Sequence, residues 1–119
     1  MGWLSKVLTG NKGGVSKPSE HAVIIHFQYG STDLSRLFAV EEKLEAAISA
    51  AAAGEFDGNE VNADGSDGFL YMYGPDADRL FEAVRPVLEA TPFMKGAVAT
   101  KRYGPPGDGV RRVEVSIGS

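Results

Sequence analysis

The spacing of apolar residues along this chain changes several times, and each change marks an element. His21 to Tyr29, HAVIIHFQY, is a run of β-branched and aromatic residues that reads as a strand. Val23, Ile25 and Phe27 share one of its faces, and Ile24, His26 and Gln28 share the other. Gly30 to Ser35 reads as a loop. Leu37, Val40, Leu44, Ala47, Ile48 and Ala51 then recur at helical spacing, with Glu41, Glu42, Lys43 and Glu45 mostly on the far side. Gly54 stands where a helix stop belongs, because glycine takes the left-handed conformation without steric cost. Glu55 to Asn62 reads as a short polar strand, Asp64-Gly65-Ser66-Asp67-Gly68 as a turn, and Phe69 to Tyr73, FLYMY, as a strongly apolar strand. A second helix is expected next, with Pro75, Asp76 and Asp78 at its start and Ala77, Leu80, Phe81, Val84, Val87 and Leu88 as its buried stripe. Pro86 should kink it and Pro92 end it. Ala97 to Tyr103 and Val110 to Ile117 read as two strands joined by a Gly/Pro-rich turn.

This β-α-β-β-α-β-β order predicts an α+β domain over residues 21–119, a ferredoxin-like β-α-β-β-α-β sandwich with an extra C-terminal strand. Both helices should lie on one face of the sheet. Counted from His21, the strands should stand in the order 5-4-1-3-2. Residues 1–20 read as a short apolar N-terminal segment and a linker rich in Gly, Ser, Lys and Asn. Trp3, Leu4, Val7 and Leu8 would share one face of a helix. Beside Lys6 and Lys12 they could touch a membrane surface, but one or two turns bury too little for firm anchoring, and docking onto protein is favoured. Ser5 and Lys6 break the apolar stretch, so it does not read as a signal peptide, and no run approaches the roughly 20 apolar residues of a membrane span.

Composition narrows the function classes. At 119 residues, 43% hydrophobic and 24% charged, the chain is expected to form one globular domain with a modest core. It contains no cysteine, which removes disulfides, thiolate zinc sites and cysteine nucleophiles, and fits a cytoplasmic location. The net charge of −4 is unevenly spread: +2 over residues 1–20, −9 over 21–94 and +3 over 95–119. Nucleic-acid binding over the whole surface is disfavoured, although the C-terminal hairpin is locally basic.

Two surfaces could carry function. At one rim the strand ends should gather His21, Tyr73 and Tyr103, with Glu55, Asp57, Asp76 and Asp78 nearby. A histidine, phenols and carboxylates could move protons, which makes His21, Tyr73, Tyr103 and Asp76 the catalytic candidates; the plainer reading is strand-end packing and helix capping. The other surface is the open face of the sheet, where Phe69, Tyr71 and Tyr73 should lie beside Ile24, His26 and Gln28, with Lys101, Tyr103 and Arg112 as candidate neighbours. Several aromatic rings on an uncovered sheet call for a partner. A homodimer or a protein partner is favoured over RNA, because the body is acidic.

No metal or cofactor is expected. The oxygen-rich run from Asp57 to Asp67 lacks the glycine and the final glutamate of a calcium loop. His21 and His26 are five apart on a strand and point to opposite faces, and no dinucleotide, phosphate-loop or nucleophile-elbow pattern occurs.

The blocks Gly54-Glu55-Phe56-Asp57-Gly58-Asn59-Glu60, Tyr73-Gly74-Pro75-Asp76-Ala77-Asp78 and Arg102-Tyr103-Gly104-Pro105-Pro106-Gly107 resemble those of a group of short, functionally uncharacterised bacterial proteins. The resemblance spans about residues 21–117 and implies a bacterial source, with no activity attached. The expected function is a non-catalytic protein-interaction or regulatory domain that assembles through the open sheet face. The alternatives are a small enzyme or ligand-binding domain using the Tyr/His/acidic rim, or RNA binding on the aromatic face.

Overall fold

The structure, a computed structural model, describes residues 3–5 and 20–118. Its elements are β1 (Trp3–Ser5), β2 (His21–Gln28), α1 (Ser35–Ala51), β3 (Glu55–Asn62), β4 (Asp67–Gly74), α2 (Ala77–Glu89), a short 3-10 turn (Pro92–Met94), β5 (Val98–Arg102) and β6 (Arg112–Ser116). The six strands form one antiparallel sheet in the order β1-β3-β4-β2-β5-β6. Counted from His21 and read from the other edge, the five longer strands follow the expected succession.

The N-terminal expectation needs correction. Trp3, Ser5 and the residue between them do not form a helical face but pair as a strand with β3, Leu4 standing opposite Val61. The edge of β3 left unpaired by β4 offers backbone groups to any extended segment, and a three-residue strand suffices to use them. Val7, Leu8 and the linker residues 6–19 lie outside the described residues.

The core forms between the sheet and the two helices. On β2 and β4, Val23, Ile25, Phe27, Leu70 and Met72 are at most 1% exposed. Strand alternation puts them all on the side where α1 brings Leu37, Leu44 and Ile48 and α2 brings Leu80, Phe81, Val84 and Leu88. α1 rests on β3 and α2, and α2 spans β2, β4 and β5.

Three local expectations shift. The left-handed residue that closes α1 is Ala52 (φ 49°, ψ 42°), not Gly54. It costs about 1–2 kcal/mol for a residue with a Cβ, offset by the N–H groups of Ala52 and Ala53, which reach Ser49 O at 3.0 Å and Ile48 O at 3.1 Å. Pro86 is accommodated inside α2, which continues to Glu89, and Pro92 opens the 3-10 turn. Glu41 is not on the wet side of α1 but 1% exposed. It falls four residues after Leu37 and three before Leu44, within the buried stripe, and Asn59 of β3 donates its side-chain amide to the carboxylate.

Candidate functional site

The face of the sheet that neither helix covers is set by register. Across it run three rows: Glu55–Tyr73–Ala22–Arg102–Arg112, Gly58–Tyr71–Ile24–Thr100–Glu114, and Glu60–Phe69–His26–Val98–Ser116. All six residues expected to mark this face lie on it: Ile24, His26, Phe69, Tyr71 and Tyr73 are partly buried and Gln28 is exposed. Arg112 joins them. Lys101 and Tyr103 do not, because they alternate with Arg102 and Thr100 and so point to the helix side.

The aromatic groups on this face are ordered against one another. The His26 ring stacks on Phe69 with centroids 4.5 Å apart, and Phe69 continues the stack to Tyr71 at 6.2 Å. His26 Nε2 lies 2.8 Å from Asp67 Oδ2. A carboxylate only accepts, so that nitrogen carries the proton. The Tyr71 hydroxyl donates to Glu60 at 2.6 Å. Burial, and then this bond to Glu60, raise the Tyr71 pKa above the ordinary phenol value. Tyr73 shifts the same way, through burial first and then the charge of Asp57, against a smaller opposing pull from Arg102. Asp57 comes close because the β3–β4 register slips between Phe56 and Gly58, leaving it as the bulged residue. Both tyrosines therefore remain neutral phenols that present ring surface, and the Tyr71 hydroxyl is committed to Glu60.

The rim is only partly assembled. His21 pairs with Gly74, so its side chain follows Val23 and Ile25 toward the helices, whereas Tyr73 stands opposite Ala22 on the far face. Glu55 shares the far face with Tyr73. What gathers at the start of α2 is His21, Tyr103, Asp76, Asp78 and Lys101. The Ala77 N–H donates to His21 Nδ1 at 3.0 Å, and Asp76 accepts from the N–H groups of Asp78 and Arg79 at 3.0 and 3.3 Å. These are the first-turn donors of a helix, and the cluster satisfies them. Tyr103 donates to Asp78 at 2.5 Å, Lys101 reaches the same oxygen at 2.9 Å, and Arg111 lies 4.6 Å over the Tyr103 ring. Of the rim candidates, His21, Tyr103 and Asp78 thus join strand ends to α2, and Asp76 caps the helix.

The hydrogen bond from Tyr103, followed by that from Lys101, lowers the pKa of Asp78. A carboxyl whose folded-state pKa is depressed contributes its stability above the ordinary carboxylate range and loses it as pH falls through the lowered value. Asp78 is 62% exposed in its ion pair, which limits its contribution to about 1 kcal/mol. Asp78→Asn should therefore lower the urea midpoint slightly at pH 7 and leave it closer to wild type at pH 3. A deficit that is as large at pH 3 as at pH 7 would show that the carboxylate charge is not what matters.

A shallow groove of about 290 Å³ lies between the end of α1 and the start of β3, lined by Glu45, Ile48, Ser49, Gly54, Glu55 and Phe56. It gathers no histidine, and Ser49 is its one hydroxyl-bearing side chain. The feature that reading the sequence missed is the buried Glu41–Asn59 pair, whose only trace is a glutamate in phase with Leu37 and Leu44. Among the described residues no group of three or more acidic or histidine side chains is placed to hold a metal ion, and no helix is long and apolar enough to cross a membrane. No family model matches this chain, and neither do any curated protein or any solved structure.

Proposed function

We propose that this chain is a non-catalytic interaction domain that binds protein through the face of its sheet away from the helices. The observation that carries this is the ordered ladder of His26, Phe69 and Tyr71 on a face that neither helix touches. Rigid aromatic rings give large contact area at little entropic cost, which suits a binding surface. Glu55, Glu60, Asp67 and Glu114 stand on the same face and would repel a phosphate backbone, which disfavours RNA. Catalysis at the rim is disfavoured because His21, Asp76 and Asp78 are engaged in helix capping and strand anchoring. We read the architecture as ferredoxin-like, since β2-α1-β3-β4-α2-β5 with β2 and β4 central fits that arrangement, with β1 and β6 added at the edges. The lack of cysteine suits a reducing cytoplasm.

The test is Tyr71→Lys, chosen because Glu60 would pair with the new cation and spare the fold. The tagged wild-type chain, followed by sedimentation velocity in native extract, should travel in an assembly larger than one chain. The variant should lose that assembly while its circular dichroism stays the same. An assembly that survives Tyr71→Lys, or a wild-type chain that sediments alone, refutes the reading.

A further inference from the structure

The far face of the sheet has a self-complementary layout. Column by column, β4 offers Tyr73, Tyr71 and Phe69, and β2 offers Ala22, Ile24 and His26 in the same rows. On the outer sides of these two strands the charges differ. β3 carries Glu55 and Glu60, while β5 and β6 carry Arg102 and Arg112 in the row of Glu55. The geometry points to a second copy of this chain as the occupant of this face, related by a two-fold axis that runs along the strands between β4 and β2. This rests on the reading of the face as a protein-binding surface and names its partner.

Such an axis exchanges β4 with β2 and β3 with β5 while keeping each row in place. Tyr73 of one copy then lies over the row position of Ala22, which its own chain already covers completely, Tyr71 over Ile24, and Phe69 over His26. Large residues meet smaller ones, as interdigitating layers require. The same operation carries Glu55 over β5 of the second copy beside the exposed Arg112, Arg102 of that row being buried and bonded to the Gly104 carbonyl, and does so twice, because a two-fold contact is isologous. An axis across the strands through the Tyr71 row would instead set each column on itself with its rows reversed, aromatic on aromatic and Glu55 against Glu60, which like charge opposes. Charge complementarity and the large-to-small pattern thus select the same axis. Three strands about 26 Å long and two about 17 Å long, about 4.8 Å apart, would bury about 1,100 Å² in total, just under what stable pairs use, so a dimer in exchange with monomer is expected.

The experiment is sedimentation velocity of the purified full chain over a concentration series, with hydroxyl-radical footprinting of Phe69, Tyr71 and Tyr73 at each end of the series. Wild type should pass from monomer to dimer, with the three rings becoming protected. Glu55→Arg and Arg112→Glu should each weaken the dimer about tenfold or more, and the double variant should restore it to within about threefold of wild type. Circular dichroism of each variant checks the fold. A dimer that both single reversals leave untouched, or that the double variant fails to restore, overturns the arrangement. If the chain stays monomeric with its rings accessible, the second copy is wrong and a different protein partner remains open. If it stays monomeric with its rings protected, the chain covers its own face and the binding-surface reading falls as well.

Discussion

Gly54→Ala should destabilise the protein by about 3–5 kcal/mol, combining backbone strain with a steric clash. Gly54 joins α1 to β3 at φ +145°, a conformation that side chains rarely adopt. A Cβ built there would fall 2.0 Å from the carbonyl oxygen of Tyr73 and 2.9 Å from the Cα of Gly74. The obstruction is backbone of the central strand β4, which cannot swing aside as a side-chain tip could. Gly74 faces the same contact from the other strand, its Cβ position lying 2.2 Å from the Ala53 carbonyl oxygen. Two strands therefore approach through a pair of glycines, and either substitution pushes β3 away from β4. Gly107 has open space around its Cβ position, so Gly107→Ala is the control and should stay within about 0.5 kcal/mol of wild type. Urea denaturation of the three proteins decides the matter. A Gly54→Ala midpoint indistinguishable from that of Gly107→Ala would mean that the strands do not approach this closely.

Leu44→Ala and Leu80→Ala should each cost about 2–5 kcal/mol, the range for truncating a buried leucine. Both side chains are fully buried and belong to the cluster that includes Val23, Ile25 and Phe27. Leu44 comes from the middle of α1 and Leu80 from the first half of α2, so each cavity would open where a helix meets the sheet or its neighbour. A domain of this size has only about 5–15 kcal/mol in hand, so the two together should leave little folded protein at 37 °C. Glu42→Ala, on the exposed side of α1, is the comparison and should change stability by less than about 0.5 kcal/mol. Shifts below about 1 kcal/mol for both leucines would mean that the helices present other faces to the sheet.

Much of this is legible in the order of residues alone. Apolar periodicity is a local property, and it placed both long helices, the apolar strands and the stripes Leu37–Leu44–Ile48 and Leu80–Val84–Leu88 on the buried side. Alternation along HAVIIHFQY and FLYMY likewise separated Val23, Ile25 and Met72 from Ile24, Tyr71 and Tyr73. The candidate binding face was legible for the same reason, since it is the complement of the core face on two strands.

What local pattern could not decide was which residues meet across the chain. The rim inferred from strand ends placed Tyr73 with His21, yet the register sets His21 against Gly74 and Tyr73 against Ala22, and a one-residue offset moves a side chain to the other face. Glu41 had the spacing of a core residue and the chemistry of a surface one. Asn59, 18 residues away, made burial tolerable by giving the carboxylate a donor. The β1 segment has the spacing of a helical face with Val7 and Leu8, yet it takes strand form by pairing with the edge of β3. Gly54 looked like a helix stop, but Ala52 takes that role and Gly54 is required by the Tyr73 carbonyl of another strand. Periodicity follows from the geometry of one element, so the chain carries it in its own order. Register, edge pairing, buried-charge compensation and close backbone approach each depend on a second segment, and only the packed structure brings that segment near.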